Sequence, residues 1–168
     1  MSMVATERGN DDDGAAVTNQ TDFASAADAH FAFLRSEFGF EALPDDVKPS
    51  SGSSREYCSS HCLLSVIRSG SQVYVELCAP SAPGQAKMRV DLFELLEVKA
   101  PGEGFAYRFD PDAFAADPMA YRDAELGRLA GLVRDYCSDV LRGDFSVLDR
   151  LADRRRTRYA AVFEHSHD

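Results

Sequence analysis

Two short apolar runs joined by a polar link constrain the fold of this chain more than any other feature. In Cys62–Arg68 and in Gln72–Ala79, apolar residues occupy every second position. The side chains of a β-strand alternate between its two faces, so this spacing predicts two strands with one covered face. The link Ser69-Gly70-Ser71 is short, polar and contains a glycine, as the turn of a hairpin requires. The sequence therefore predicts an antiparallel hairpin at the centre of a sheet.

Weaker alternating patterns flank this hairpin. Residues 55–60 form a candidate strand on the strength of Tyr57 and of their position before the hairpin. Residues 87–92 alternate with Met88, Val90 and Leu92 on one side, and a helix is predicted from Asp91 to about Lys99. The prediction is an antiparallel sheet of three to four strands.

Helical spacing of apolar residues appears on both sides of the sheet region. Apolar residues recur every three or four positions from Asp22 to Phe38, and Gly39 fits the left-handed position that ends a helix. A longer helix is predicted from Pro118 or Asp123 to Arg142, followed by Gly143 and a further helix that begins after Asp144. Two helices with so short a link usually pack antiparallel. The predicted class is α+β, with the sheet covered by an N-terminal helix and a C-terminal helical hairpin.

Length and composition place these elements in one domain. A chain of 168 residues is long enough to bury a substantial core. Residues 1–20 are polar and acidic and predict a disordered tail, residues 21–163 a single α+β domain, and residues 164–168 a frayed C-terminus. No apolar run approaches the roughly 20 residues that span a bilayer, and the N-terminus lacks a secretory pattern. We therefore expect a cytoplasmic protein without a membrane partner.

The distribution of charge predicts the kind of partner. The net charge is −10, and residues 1–50 hold ten acidic and three basic residues, a net of −7. Nucleic-acid binding needs a positive surface, so the balance argues against it and favours a basic protein partner. The acidic residues at and after the end of the first helix form the predicted partner-binding surface. They are Glu37, Glu41, Asp45 and Asp46.

An enzyme is the alternative function, and it depends on Cys58, His61 and Cys62. Thiolate and imidazole groups bind zinc, and a cysteine beside a histidine is a possible nucleophile. However, no second pair of ligands follows at a suitable spacing, and small buried thiols are the commoner role of cysteines in apolar segments. No catalytic motif is found, so we predict no catalytic residue, metal site or cofactor.

The remaining alternative is a regulator that contacts nucleic acid through the cluster Arg154–Arg158. Residues 149–158 contain five arginines and two aspartates. No interleaved aromatic residues or glycine-rich loop support this alternative. A solvated helix face whose arginines pair with nearby acidic residues is the more common structure.

Three segments carry a resemblance to a known kind of protein. They are Phe31–Phe40, the meander from Tyr57 to Leu77, and Leu132–Phe145. Their order is similar to that of small, uncharacterised bacterial α+β proteins, some of which resemble the immunity proteins of toxin systems. The resemblance implies a non-enzymatic protein-binding module of the immunity or antitoxin type. Its motifs are structural, and it assigns no binding residue.

Overall fold

The computed structural model describes residues 22–44, 53–79 and 89–164, with side chains described as far as residue 156. The strands, in chain order, are β1 Glu41–Ala42, β2 Ser53–Cys58, β3 Leu63–Ser69, β4 Gln72–Cys78 and β5 Arg89–Asp91. The helices are α1 22–30, α2 Ala32–Phe38, α3 Leu92–Lys99, α4 Pro111–Ala116, α5 Pro118–Tyr136, α6 Ser138–Leu141 and α7 Val147–Glu164. The predicted tail, residues 1–20, lies outside the described residues, as does the predicted frayed C-terminus, residues 164–168, except for Glu164, which ends α7.

The five strands form one antiparallel sheet in the order β1-β2-β3-β4-β5. The predicted hairpin is confirmed, since Ser69 of β3 pairs with Gln72 of β4 and Gly70 takes a φ of +60° in the turn. Leu64 and Val66 lie opposite Leu77 and Val75, and all four side chains are buried on one face. The alternating pattern in the sequence therefore identified the face of the sheet that packs on the helices.

The α+β class is confirmed, but the sheet has five strands and the prediction was three to four. The additional strand is β1, which pairs with Tyr57 and Cys58 of β2. Both of its residues are exposed. A strand of two exposed residues has no apolar alternation, so the pattern that predicts strands gives no signal for it.

The first predicted helix, Asp22–Phe38, is interrupted once. Phe31 lies in a turn between α1 and α2, and the Leu34 N–H donates to the Phe31 carbonyl over only three residues. The predicted helix end is confirmed, because Gly39 has a φ of +69° and the Phe40 N–H donates to the Leu34 carbonyl at 3.0 Å. This is the Schellman arrangement, and it places Phe40 in the core.

The C-terminal helices differ more from the prediction. The long helix ends at Tyr136, and the short helix α6 follows it, where a single helix to Arg142 was expected. The last helix packs chiefly against α3 and not against α5 as the predicted hairpin requires. Arg154 and Arg155 of α7 form ion pairs with Glu97 and Glu94 of α3. Closeness in sequence favoured packing of α7 on α5, but the glutamates of α3 provide the carboxylates that pair with the arginines of α7.

One hydrophobic core joins the sheet to the helices. Its fully buried members include Leu34 of α2, Leu64 of β3, Leu95 of α3 and Leu129 of α5. Burying a leucine side chain contributes roughly 1.5–3 kcal/mol, so this cluster is the main source of stability. Among the described helices, none is both long enough and apolar enough to cross a membrane.

Candidate functional site

A cavity of about 710 Å³ lies where α1 and α2 meet the edge of the sheet. Charged, aromatic and glycine residues from both helices and from β1 and β2 surround it. Its described lining consists of Asp28, Phe31, Ala32, Arg35, Gly39, Phe40, Glu41, Ala42, Arg55 and Tyr57. Clefts of this size that combine apolar walls with a few polar groups are where proteins usually bind ligands or partner side chains.

Three of these side chains form a hydrogen-bonded clamp, which we define as Asp28, Arg55 and Tyr57. The Asp28 carboxylate accepts two hydrogen bonds from the Arg55 guanidinium, at 2.8 and 2.7 Å. It also accepts one from the Tyr57 hydroxyl at 2.9 Å. Arg55 and Tyr57 are two positions apart in β2 and so project to the same face, toward α1. The clamp therefore fastens the first helix to the second strand.

The environment of the clamp keeps the Tyr57 phenol protonated. Burial raises the pKa of the Tyr57 phenol well above its ordinary value, and the neighbouring Asp28 carboxylate raises it further. The phenol thus stays protonated and remains a hydrogen-bond donor at physiological pH. The Arg55 side chain is only 14% exposed, and it also donates to the Leu43 carbonyl at 3.0 Å. With their donors and acceptors already engaged, these groups position the cavity walls and do not supply a free acid or base.

Two charged side chains on the cavity wall remain unpaired. Arg35 of α2 and Glu41 of β1 are both exposed. Neither side chain has a hydrogen-bond or ion-pair partner in the part of the chain that the structure describes. Of the apolar lining residues, Ala32 and Ala42 are exposed, whereas Phe31 and Phe40 are almost fully buried. The ring of Phe31 stacks on that of Tyr57 with centroids 6.0 Å apart. Among the described residues, the cavity thus offers the carboxylate of Glu41 and the guanidinium of Arg35 beside a small apolar surface.

The predicted acidic surface is only partly brought together. Glu41 lines the cavity, whereas Glu37 pairs with Arg134 of α5 and does not line it. Asp45 and Asp46 lie outside the described residues. Of the two predicted partner-binding residues that the structure describes, Glu41 lies at the cavity without an ion-pair partner among the described residues.

Cys58, His61 and Cys62 surround the turn between β2 and β3. The Ser59 N–H donates to the Cys62 carbonyl at 2.9 Å, which closes this turn. Cys62 is buried, and burial raises the pKa of its thiol to about 12, whereas His61 is exposed. Within the described ranges, no three histidine, cysteine or acidic side chains are grouped to hold a metal ion. The Cys62 thiol is therefore protonated at neutral pH and has little nucleophilic character.

The arginine cluster of α7 is largely paired with acidic residues. Arg154 and Arg155 pair with Glu97 and Glu94 of α3, and Arg156 pairs with Asp153 of its own helix at 2.8 Å. The side chain of Arg158 lies outside the described part. Guanidinium groups neutralised in this way contribute less to binding of a phosphate backbone.

Sequence reasoning did not identify Asp28, Arg35, Arg55 or Tyr57 as site residues. A signal for Arg55 was present, since it shares the inward face of β2 with Tyr57 and a charged residue there needs a partner. Nothing local indicates that the partner is Asp28, because the two residues meet only when the helix packs on the sheet.

Comparison of the chain with protein-family models, with curated proteins and with solved structures finds no match. The cavity and the charges around it are therefore the features that indicate a function.

Proposed function

We propose that this chain is a non-enzymatic protein-binding module that receives a basic segment of a partner protein at the cavity beside β1. The observation that carries the proposal is the exposed Glu41 carboxylate, which has no partner in the described chain and lies on the cavity wall. A lysine or arginine from the partner would place its charged end at Glu41 and its aliphatic stem along the small apolar surface.

The charges of the site support this type of partner. Glu41 lies on a short edge strand, close in sequence to Asp45 and Asp46, in a half of the chain that is strongly acidic. An acidic surface accelerates association with a basic protein and excludes acidic competitors. Arg35 adds one positive charge to the cavity wall, so an acidic residue of the partner that meets it would fix the orientation of binding. Masking of a basic, toxic protein is the immunity-type form of this function.

The proposal is tested by affinity capture from the source cell at low and high salt, with identification by mass spectrometry. We expect one basic protein to be retained at low salt and released at high salt. Glu41→Lys reverses the free charge and should slow association by roughly tenfold or more. Glu103→Lys is the matched control, because Glu103 is exposed, its side chain has no hydrogen-bond or ion-pair partner among the described residues, and it does not line the cavity.

The association rates of Glu41→Lys and Glu103→Lys, compared with each other, show whether the partner binds at Glu41. Equal loss of binding in Glu41→Lys and Glu103→Lys, or an association rate indifferent to salt, contradicts a site at Glu41. If the captured protein is toxic when expressed alone and harmless when expressed with this chain, the immunity-type form is supported.

The alternative functions have less support in the structure. A thiol enzyme at Cys62 needs a thiolate, and burial keeps that thiol protonated. A nucleic-acid regulator would use the arginine cluster Arg154–Arg158, and Arg154, Arg155 and Arg156 of that cluster are paired. Stoichiometric metal in purified protein that is lost in Cys58→Ala would reopen the first alternative.

A further inference from the structure

We infer that a second, smaller cavity binds the carboxylate group of a small organic acid. This cavity, of about 70 Å³, lies between the start of α1 and the N-terminal half of α5. Arg68 of β3 and Arg122 of α5 both line it. Its volume accommodates one small anionic head group together with a short apolar chain that extends toward the opening.

The two arginines are held in place without a carboxylate partner. Arg68 donates to the Ser53 hydroxyl at 2.7 Å, and its guanidinium lies 5.4 Å from the centre of the Phe23 ring. The guanidinium of Arg122 lies 5.3 Å from the centre of the Phe114 ring. Neither forms an ion pair with an acidic residue of the described ranges. Stacking on an aromatic ring fixes the plane of a guanidinium while leaving its N–H edge available for an oxyanion.

A buried N–H group indicates that an acceptor is missing. Of the buried side-chain nitrogen and oxygen atoms in the described residues, Arg122 Nε is the one without a hydrogen-bond partner. Buried polar groups are almost always hydrogen-bonded, so such an atom calls for an explanation. The pKa of Arg68 is lowered by burial and, to a smaller extent, by the nearby charge of Arg122. An anion shared by the two guanidiniums would supply acceptors to both and remove their mutual repulsion.

The other lining residues determine which anion fits. Asp22 and Asp123 also face the cavity, although Asp123 is hydrogen-bonded to His30 at 2.8 Å. These two carboxylates would repel a second negative charge on the ligand, so a ligand with one negative charge, placed at the arginines, is favoured. The remaining wall is apolar and includes Phe23, Ala26, Leu126 and Met119, whose side chain is among the few large apolar ones that are exposed. A monocarboxylate with a short aliphatic chain satisfies both the arginines and this wall.

This inference does not depend on the proposed protein-binding function. Neither Arg68 nor Arg122 lines the cavity that contains Glu41. Each proposal can therefore fail while the other stands.

The test is a titration of the full chain with sodium butanoate, followed by two-dimensional NMR of backbone amides, with butan-1-ol as the uncharged probe. We expect saturable shifts centred on Arg68 and Arg122, and weaker binding of the alcohol. Arg122→Gln and Arg68→Gln should each weaken butanoate binding about tenfold, because each removes a charge-assisted hydrogen-bond donor. Arg150→Gln is the matched control, since Arg150 is exposed, has no hydrogen-bond or ion-pair partner among the described residues and does not line the cavity.

Three results would overturn the inference. They are the absence of saturable binding, equal binding of butanoate and butan-1-ol, and equal weakening by Arg150→Gln. If Arg122→Gln does not fold, Arg122→Lys keeps the charge but removes the planar fork, and Arg68→Gln tests the second arginine alone. Retention of full affinity in either variant then places the anion elsewhere.

Discussion

Replacement of Asp28 by asparagine is the most informative test of the site. The substitution keeps the size of the side chain and one acceptor oxygen for Tyr57, but it removes the negative charge and replaces the oxygen that accepts from Arg55 Nη2 with an NH2 group, which cannot accept. Arg55 keeps its hydrogen bond to the Leu43 carbonyl. The variant therefore weakens the connection between α1 and β2 without leaving Arg55 wholly unbonded.

The expected loss in the free energy of unfolding depends on how deeply Asp28 and Arg55 are buried and on how many hydrogen bonds each substitution weakens. Removing one partner of a fully buried ion pair costs about 3–5 kcal/mol. Asp28 has a side chain that is 41% exposed, so solvent screens part of its interaction with Arg55, whose side chain is 14% exposed. We expect the free energy of unfolding to fall by about 2–3 kcal/mol in Asp28→Asn and by about 1 kcal/mol in Tyr57→Phe, which loses a single hydrogen bond.

Urea unfolding of the two variants and of the double variant measures these values. The losses should not add, because Tyr57→Phe removes the donor of the hydrogen bond between Tyr57 and residue 28 and Asp28→Asn removes the charge on its acceptor, so a coupling of about 0.5–1 kcal/mol is expected. Asp135→Asn is the control, since Asp135 is an exposed acidic residue of α5 without a side-chain partner, and its change should stay within about 0.5 kcal/mol. If Asp28→Asn costs no more than this control, the clamp does not stabilise the fold and the argument is refuted.

Further predictions concern the space around two glycines of α5 and the burial of a thiol. A Cβ added at Gly131 meets nothing within 4 Å, so Gly131→Ala should stabilise the protein by about 0.5–1 kcal/mol in thermal unfolding. A Cβ added at Gly127 would lie 3.2 Å from the His30 ring, so Gly127→Ala should stabilise the protein less or destabilise it. Equal gains at both positions would show that His30 moves aside freely. Burial raises the pKa of Cys62 from 9.0 to about 12, so the unfolded chain ionises first and this thiol's contribution to stability should be lost as the pH rises from 9.0 to about 12. At pH 8, iodoacetamide should modify the partly buried Cys58 before the buried Cys62 in native protein. Mass spectrometry of the products over time measures this order, and faster modification of Cys62 would contradict the prediction.

Features that depend on neighbouring residues were predictable from the sequence. The β3–β4 hairpin, the end of α2 at Gly39 and the start of α3 at Asp91 all match the expectation. Each depends on a local steric or hydrogen-bonding rule. Gly39 takes a φ that disfavours side chains, and Asp91 accepts hydrogen bonds from the backbone N–H groups of Phe93 and Glu94.

The same locality explains which elements were predicted wrongly. Apolar spacing continues through Phe31 and Cys137, and it predicted unbroken helices where the structure has a turn and a second short helix. Periodicity records which residues face the core, and it does not record whether each backbone hydrogen bond forms. The partner of α7 was also missed, because any helix with an acidic face satisfies its arginines, and only the packed fold places α3 there.

The sequence alone thus determined the class of the fold, the face of the sheet that is buried and the acidic character of the chain. The tertiary structure decided the sites. Asp28 meets Arg55 and Tyr57, and Arg68 meets Arg122, only because separate helices and strands pack on one core. Alternation and capping are properties of adjacent residues, whereas the meeting of distant charges depends on how whole elements pack, which no short stretch of sequence encodes.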